Sequence, residues 1–499
     1  MNLERELKFR LDTGAAARAP RLLPFAAPPR KTRVDSTYYD TPDLRLQRAG
    51  AALRLRRNGH KWLQALKLPQ GPQGALASRA EWEMAAPKGR LDCALFPREA
   101  VRAASGLDIV RLARHLRPVF ATRFERRSGP LALGHGVSAQ ACIDRGIIEA
   151  GSKREDILEL ELELTEGEIG PLVGLAEGLV QPLGLHIETA SKAERGYRLS
   201  ESAGLPPPAK WTRPPIDENA TASDAFAVLC GAALAQIGAN ALGVAEGRDP
   251  EYLHQMRVGV RRLRSALHAF RRLLRGARAR AAERPLKRMM QIWGAARDWD
   301  VFCETLADAH ADAMLLARAR QKRAFARKAA AAVADSAAFQ QAQLRVLRWL
   351  HRDPWKSDAA RAERLGRFAR QTLARLRARL IGEGRKLPWR DERRRHQVRI
   401  RVKRLRYACD FFSGCFPHQA VLPFITRLAS LQDTLGELND VSVAKRLAAE
   451  IAPGSEGVAL RRWLAARERE LIGSLEPAWA AFEAKRPFWE PKRGRRGAR

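Results

Sequence analysis

Glu4-x-Glu6-x-Lys8 sets two carboxylates and an amine at alternate positions. Three later segments repeat the device with other charges: Arg54-x-Arg56, Arg79-x-Glu81-x-Glu83 and Glu159-x-Glu161-x-Glu163. In a β-strand alternate side chains share one face, so each segment presents a charged face and, between the charges, an apolar one. One such strand reads as a sheet with its polar face in water. Several together, some acidic and some basic, suit the lining of a closed barrel. Neighbouring carboxylates repel unless a hard cation lies between them, and Mg²⁺ takes oxygen ligands that include phosphate oxygens. Arginine and lysine on facing strands would neutralise the remaining phosphate charge. The set therefore reads as a metal-plus-polyphosphate site. No glycine-rich phosphate loop followed by Lys-Ser/Thr occurs, which disfavours a P-loop enzyme. No cysteine or histidine nucleophile stands out; His60, His115, His135 and His186 read as surface or satisfied residues.

A second constellation is cationic. On a helix, His254, Arg257, Arg261 and Arg264 fall within an arc of about 80°, with Arg262 beside it. His396, Arg399, Lys403 and Arg406 repeat the stripe, with Arg404 alongside. Solvated helix faces usually intersperse Glu at i+4 to relieve repulsion, and these contain none, which points to a bound polyanion. The histidines lack an i+3 or i+4 histidine partner. They read as hydrogen-bonding to phosphate or to Asp298 and Asp440, with protonation tying binding to mildly acidic pH.

The elements that must position these groups follow from periodicity. Period-two alternation marks strands at 3–9, 52–56, 62–67, 79–84, 120–126 and 157–164, with helices expected near Arg98–Arg117 and Gly170–Leu183. Leu205-Pro206-Pro207-Pro208 through Pro214-Pro215 reads as a stiff linker. Beyond it the pattern is helical and internally duplicated. His254 to Ala266 matches His396 to Ala408, and Asp298 and Asp440 each follow their histidine at the same interval. The expected organisation is 1–204, a β domain; 205–215, linker; 216–485, two related helical units of about 216–350 and 351–485; and 486–499, a basic disordered tail.

The 499 residues carry 90 Lys and Arg against 55 Asp and Glu, a formal charge of +35. Residues 1–200 hold 32 basic and 24 acidic side chains and the remainder 58 and 31, so the helical part supplies most of the field. That field calls for a polyanionic partner. Few aromatics interleave with the arginine stripes, so base stacking on nucleic acid is disfavoured. The six cysteines form no Cys-x-x-Cys, which suits a reducing compartment. The N-terminal residues lack the apolar core of a signal peptide. The apolar run Ala225–Ala245 contains Gln236 and Asn240 and reads as a buried bundle helix, with no membrane span expected. A cytoplasmic protein is expected.

At the level of ordered motifs the first 200 residues resemble the CYTH family, the triphosphate tunnel metalloenzymes. The series runs Glu4-x-Glu6-x-Lys8, Tyr38-Tyr39-Asp40-Thr41-Pro42, Leu53-Arg54-Leu55-Arg56, Trp62 to Lys67, Arg79-x-Glu81-x-Glu83, Thr122 to Arg126, Asp144, the Glu159/Glu161/Glu163 strand, and Ser191 to Tyr197. The resemblance implies an eight-stranded antiparallel tunnel for a linear triphosphate. Glu4, Glu6, Glu161 and Glu163 would hold divalent metal, Mg²⁺ or Mn²⁺, with the choice among the three late glutamates left open. Lys8, Arg54, Arg56, Lys67, Arg126 and Lys192 would clamp phosphates, with Lys8 also in the catalytic set. Glu81, Glu83 and Asp144 would orient metal-bound or attacking water. Arg123 lies on the opposite strand face from Arg126, which favours Arg126. The helical part resembles the CHAD family, through the duplicated His-x-x-Arg-x-x-x-(Arg/Lys)-Arg-Leu-Arg motif and its downstream aspartate. This implies two four-helix units whose basic groove binds inorganic polyphosphate. Arg297-Asp298-Trp299-Asp300 against Asn439-Asp440-Val441-Ser442 gives the first unit an extra acid.

The expectation is thus an α+β, two-domain inorganic triphosphatase with a polyphosphate-binding module, associated with polyphosphate granules. The alternatives are a non-catalytic granule-binding protein and an enzyme for an organic triphosphate such as thiamine triphosphate or ATP.

Overall fold

The structure is a computed structural model that describes residues 2–71, 74–87, 89–134, 136–385 and 389–490. The expected tail lies largely outside these residues, as does His135.

Among the described residues nine strands occupy the N-terminal part: β1 (Asn2–Arg10), β2 (Arg30–Asp40), β3 (Ala52–Asn58), β4 (Lys61–Pro69), β5 (Leu76–Ala85), β6 (Arg117–Ala132), β7 (Ser138–Ala150), β8 (Lys153–Glu166) and the two-residue β9 (His186–Ile187). They run β5-β4-β3-β2-β6-β7-β8-β1-β9, and β5 pairs back with β1, closing eight strands into an antiparallel barrel. Closure leaves no long unpaired edge, and it forces every strand to divide its side chains between an interior and an exterior.

Six helices surround or cap the barrel: α1 (Thr13–Leu22), α2 (Arg45–Arg48), α3 (Arg98–Ser105), α4 (Ile109–Leu112), α5 (Gly170–Leu183) and α6 (Lys192–Glu201). The helix expected over Arg98–Arg117 is in fact two short ones. Gly106, at φ 72, ends α3 in the left-handed conformation, and β6 already begins at Arg117. Leu53, Leu66, Leu68, Ala80 and Trp82 face outward from β3, β4 and β5 and pack beneath α2, α3 and α4. The buried outer face thus supplies an ordinary hydrophobic core, while the inner face is left for charge.

Among the described residues ten α-helices follow: α7 (Ala222–Ala245), α8 (Pro250–Phe270), α9 (Gly276–Asp308), α10 (Ala313–Asp335), α11 (Ala337–Leu350), α12 (Asp358–Arg361), α13 (Leu365–Gly384), α14 (Glu392–Phe412), α15 (His418–Ile451) and α16 (Val458–Glu483). The duplication is visible in the element order: α7–α10 and α13–α16 each place the histidine motif on the second helix and the aspartate on a long third helix. α7 is long and apolar enough to cross a membrane by length and composition alone, yet it buries Phe226, Leu229, Cys230, Ala233 and Ile237 in protein.

The contacts divide the chain into two units. One comprises Met1–Ala209 together with Leu234–Leu242 and Asp335–Asp353; the other comprises Lys210–Ala233, Gly243–Ala334 and Pro354–Arg499. α11, which sequence position alone groups with the helical part, therefore belongs with the barrel. Arg345 and Arg348 on α11 flank Glu177 of α5 at 3.2 and 3.1 Å. The proline-rich segment is anchored rather than free: Ala209 exchanges two hydrogen bonds with Asn240 in the first unit, and Trp211 stacks on Arg262 in the second.

Candidate active site and cationic cavity

Strand register brings the charged positions opposite one another inside the barrel. Lys8 faces Glu161, Glu6 faces Glu163, Glu4 faces Arg79, Lys67 faces Glu81, and Arg126 faces Asp144. Directly opposed side chains on one face stand close enough to pair. Lys67 Nζ reaches both Glu4 oxygens, at 2.8 and 2.6 Å, and Glu81 at 3.4 Å. Arg79 bonds Glu6 at 2.6 Å, and Lys8 lies 3.6 Å from the same carboxylate. Arg54 reaches Glu81 at 3.2 Å, and Arg56 pairs with Glu83 nearer the open end, where Glu83 is about one-third exposed. Arg126 grips Asp144 through two bonds of 2.7 Å and Glu161 through one of 2.6 Å.

One end is closed by α6. Its capping box, in which Ser191 and Glu194 satisfy each other's backbone donors, fixes the first turn and aims Lys192 inward. Lys192 Nζ meets Asp144, Glu159 and Glu161 at 2.8, 2.7 and 2.8 Å. Arg195, one turn later, pairs with Glu155 at 2.6 Å and with Glu159. Beyond these charges the end is plugged by Tyr38, Phe120, Phe124, Ile148, Ile157 and Tyr197. Gly196 is obligatory here: a Cβ would stand 2.1 Å from the Phe120 ring. Tyr197 donates to Asp40 at 3.0 Å, and Asp40 also accepts from the backbone of Thr41, Leu46 and Gln47. The Tyr-Tyr-Asp-Thr-Pro motif is thus architectural: its aspartate ties α2 to the plug.

The electrostatics are uneven along the lining. Burial raises the Glu161 carboxyl, but Lys192, Arg126 and Lys8 outweigh it and hold it well below the ordinary range. Burial likewise opposes, and Lys8, Arg79 and Lys67 overcome, at Glu6, which ends below its ordinary value. Glu163 is the exception. Burial and then the charges of Glu4, Glu6 and Glu161 push it up to about 7, with Lys67 opposing. It makes no hydrogen bond or ion pair among the described residues. A carboxylate repelled by three others fits a hard divalent cation. Among the described residues no three carboxylate, imidazole or thiol groups converge closely enough to hold a metal alone. Glu4, Glu6 and Glu161 lean instead on Lys67, Arg79 and Lys192. A phosphate ligand that engaged those cations would release the carboxylates.

All the expected interior residues, Glu4, Glu6, Lys8, Arg54, Arg56, Lys67, Glu81, Glu83, Arg126, Asp144, Glu161, Glu163 and Lys192, face one enclosed space. Arg123 points outward to Glu149. Asp144 is fully buried under Arg126 and Lys192. Three interior residues had no role assigned from sequence. Arg79 was read by alternation onto the β5 face of Glu81 and Glu83, and Glu159 onto that of Glu161, but neither had a partner until the register was known. Arg195 sits three residues past Lys192, on the same helical face, and needed α6 to be recognised as a helix.

In the second unit, α8, α9, α14 and α15 enclose a cavity of about 810 Å³. His254, Arg257, Arg261 and Arg262 line it from α8, Arg297 and Asp298 from α9, Arg399, Lys403 and Arg406 from α14, and Asn439 and Asp440 from α15. Arg257, Arg261, Arg399, Lys403 and Arg406 make no ion pair with any described residue, and buried guanidinium nitrogens of Arg257, Arg261 and Arg399 lack an acceptor. Burial, then Arg399 and Arg261, lowers the Lys403 amine to about 7. Burial and Arg261 likewise bring Arg257 down to about 10.

Several sequence expectations are corrected here. Arg264 is not among the cavity-lining residues and pairs with Glu283 on α9, while Arg404 also lies outside the cavity. Arg262 lines the cavity but is held by Asp410 and lies 4.4 Å from the Trp211 ring. His396 lines a smaller neighbouring cavity and meets Asn439 at 3.3 Å, not Asp440. In the ligand-free cavity burial and then Arg297 and Arg261 push His254 down to about 4. The extra acid, Asp300, is buried against Arg327 at 2.6 Å and is structural.

A closed barrel with an ionic interior and a duplicated helical unit around a cationic cavity define a two-module protein. The CYTH domain profile matches residues 2–197 and the CHAD domain profile residues 229–449, and the chain belongs to these families as a CYTH–CHAD protein. The solved CHAD domain from the plant Ricinus communis is 31% identical, over 56% of this chain and 97% of that one, with a TM-score of 0.50. An inorganic triphosphatase of Haemophilus influenzae is 29% identical over 175 residues, which is 34% of this chain and 47% of that protein; the match thus spans about half the relative's length. A Hippeastrum protein described as a putative adenylyl cyclase with dominant triphosphatase activity is 22% identical over 41% of this chain and 98% of that one, at a TM-score of 0.30.

Proposed function

We propose that the barrel hydrolyses inorganic triphosphate to pyrophosphate and phosphate with a divalent cation, Mg²⁺ or Mn²⁺, and that the helical unit binds inorganic polyphosphate. The observation that carries the first part is the unpaired Glu163 beside Glu4, Glu6 and Glu161, facing a wall of lysine and arginine. The interior sets carboxylates against cations in near balance, so a bare polyphosphate would bring negative charge with nothing left to match it. Glu163 with Glu4, Glu6 and Glu161 would hold the cation, which when bound would offset charge developing on the phosphate oxygens. Lys8, Arg54, Arg56, Lys67 and Arg126 bind and align the chain of phosphates. Glu81 and Glu83, toward the open end, would orient an attacking water. Asp144, buried beneath Arg126 and Lys192, instead positions those two cations. The cavity supports the second part: arginines with buried, unsatisfied donors match phosphate oxygens. Six buried free thiols support a reducing, cytoplasmic setting, with polyphosphate granules as the expected location.

The test is phosphate release from inorganic triphosphate, ATP and thiamine triphosphate, with and without Mg²⁺ or Mn²⁺. Metal-dependent turnover of inorganic triphosphate is expected, falling at least about a hundredfold in Glu4→Gln and Glu6→Gln. Equal activity without metal, or in those variants, overturns the assignment. Preferred turnover of ATP or thiamine triphosphate would move the substrate to the organic class. Long polyphosphate should bind the wild-type chain and weaken in Arg257→Gln/Arg399→Gln.

A further inference from the structure

The helical unit holds a second group of cations away from the cavity, and of its members only Arg404 belonged to the stripes read from sequence. His268 and Arg271 lie at the C-terminal end of α8, and Arg272 follows them. Arg375 and Arg379 lie one turn apart on α13, and Arg404 is on α14. The three helices meet here through aromatic packing: Phe270 lies 4.9 Å from Phe368 of α13 and 5.8 Å from Phe412 of α14. None of the six lines the central cavity.

Elsewhere in this unit, arginines in structural positions are paired with carboxylates from neighbouring helices, as Arg264 is with Glu283, Arg401 with Glu383 and Arg395 with Glu468. The second group departs from that pattern. None of its members makes a hydrogen bond or ion pair with any described residue, and the residues outside the described set include no Asp or Glu. Two nitrogens of Arg375, Nε and Nη1, are buried without an acceptor. The nearest carboxylate influence, Glu283 on Arg404, is already committed to Arg264. The charges act on one another: burial and then Arg404, Arg271, Arg379 and Arg375 push His268 down to about 4, so it faces the group as a neutral imidazole. Leaving buried donors unpaired and like charges adjacent lowers stability. Both penalties ease when phosphate oxygens pair with the guanidinium groups.

We infer that Arg271, Arg272, Arg375, Arg379 and Arg404, with His268, form a second anion site on the helical unit that takes the phosphate groups of a long inorganic polyphosphate chain. This rests on the polyphosphate reading of the cavity and extends it: long chains are held at two places.

The test uses the full chain and an end-labelled long polyphosphate, followed by fluorescence anisotropy across a salt series. The exposed-residue variant Arg271→Gln/Arg272→Gln/Arg379→Gln should lose about tenfold in affinity and show a shallower salt dependence, because fewer counterions are released on binding. Arg257→Gln/Arg399→Gln should retain residual binding, and the combined variant should lose it. Each patch substitution, and Arg375→Met separately, should leave the ligand-free melting temperature equal or higher, since repulsion is relieved; a purely structural role would lower it. Affinity within twofold of wild type with an unchanged salt slope overturns this second site alone. Absence of wild-type binding to polyphosphate overturns it together with the reading of the cavity. Duplex DNA competing equally per phosphate overturns the ligand class.

Discussion

Lys192 offers the sharpest quantitative test. It sits among Asp144, Glu159 and Glu161 with bonds of 2.7 to 2.8 Å, and it is 8% exposed. Arg126 and Arg195 complete the group, so three carboxylates meet three cations. Lys192→Met leaves three carboxylates against two cations in a nearly closed interior. Removing one partner of a buried ionic group costs about 3–5 kcal/mol. The pH window follows from the directions of the shifts. The Lys192 amine is held well above its ordinary value, so its contribution is fully present below the unfolded lysine pKa and is lost only as pH rises through the folded one. The Glu161 carboxyl is held well below 4.5, so its contribution is present above the unfolded carboxyl value and fades as pH falls through the folded one. The penalty in Lys192→Met should therefore be full at neutral pH and shrink in acid, where the released carboxylates can protonate. Hydrogen exchange on peptides from β7 and β8 reads the barrel's own opening free energy without assuming that the whole chain unfolds in one step. Lys192→Arg, which keeps the charge, should recover most of the loss. A penalty under about 1 kcal/mol at pH 7, or one that does not change between pH 7 and 4, would refute the charge-compensation reasoning.

Two further outcomes follow from the geometry. With its amine lowered to about 7, Lys403 is largely neutral at pH 8 in the free protein, and an incoming polyanion should restore its proton. Calorimetry in buffers of different ionisation enthalpy should show proton uptake on polyphosphate binding that disappears in Lys403→Met, with affinity falling from pH 6.5 to 8.5. At Gly196, replacement by alanine drives a methyl into the Phe120 ring, so the barrel should lose about 1–3 kcal/mol and triphosphate turnover should fall as Lys192 is displaced. Unchanged stability and rate would mean that the plug tolerates movement.

The barrel was legible wherever one face carried charge and the other apolar bulk, as in β1, β3, β5 and β8. β2 and β7 escaped because their inward faces mix small, polar and aromatic residues. Val34, Ser36 and Tyr38 on β2, and Asp144, Gly146 and Ile148 on β7, produce no clean alternation. α6 escaped although Ser191-x-x-Glu194 is a readable start signal, because Lys192 reads first as a phosphate ligand and the helix around it is short. The alternation placed the interior charges correctly, yet which carboxylate lacks a partner depends on cross-strand register, which no single segment contains. In the helical unit, helical periodicity could not separate Arg261, facing the cavity, from Arg264, since the acid that claims Arg264 is contributed by another helix.

The cavity of the helical unit is built from two copies of one motif. α8 meets α14 and α9 meets α15, so Arg257 answers Arg399, Arg261 answers Lys403, and Asp298 answers Asp440 across it. The copies have drifted around that shared centre: His254, Arg262 and Arg297 line the chamber from the first, whereas in the second His396 and Arg404 stand outside it, Asn439 replaces Arg297, and Arg406 enters. Duplication thus supplies the middle of the chamber twice over, and divergence gives its two sides different chemistry.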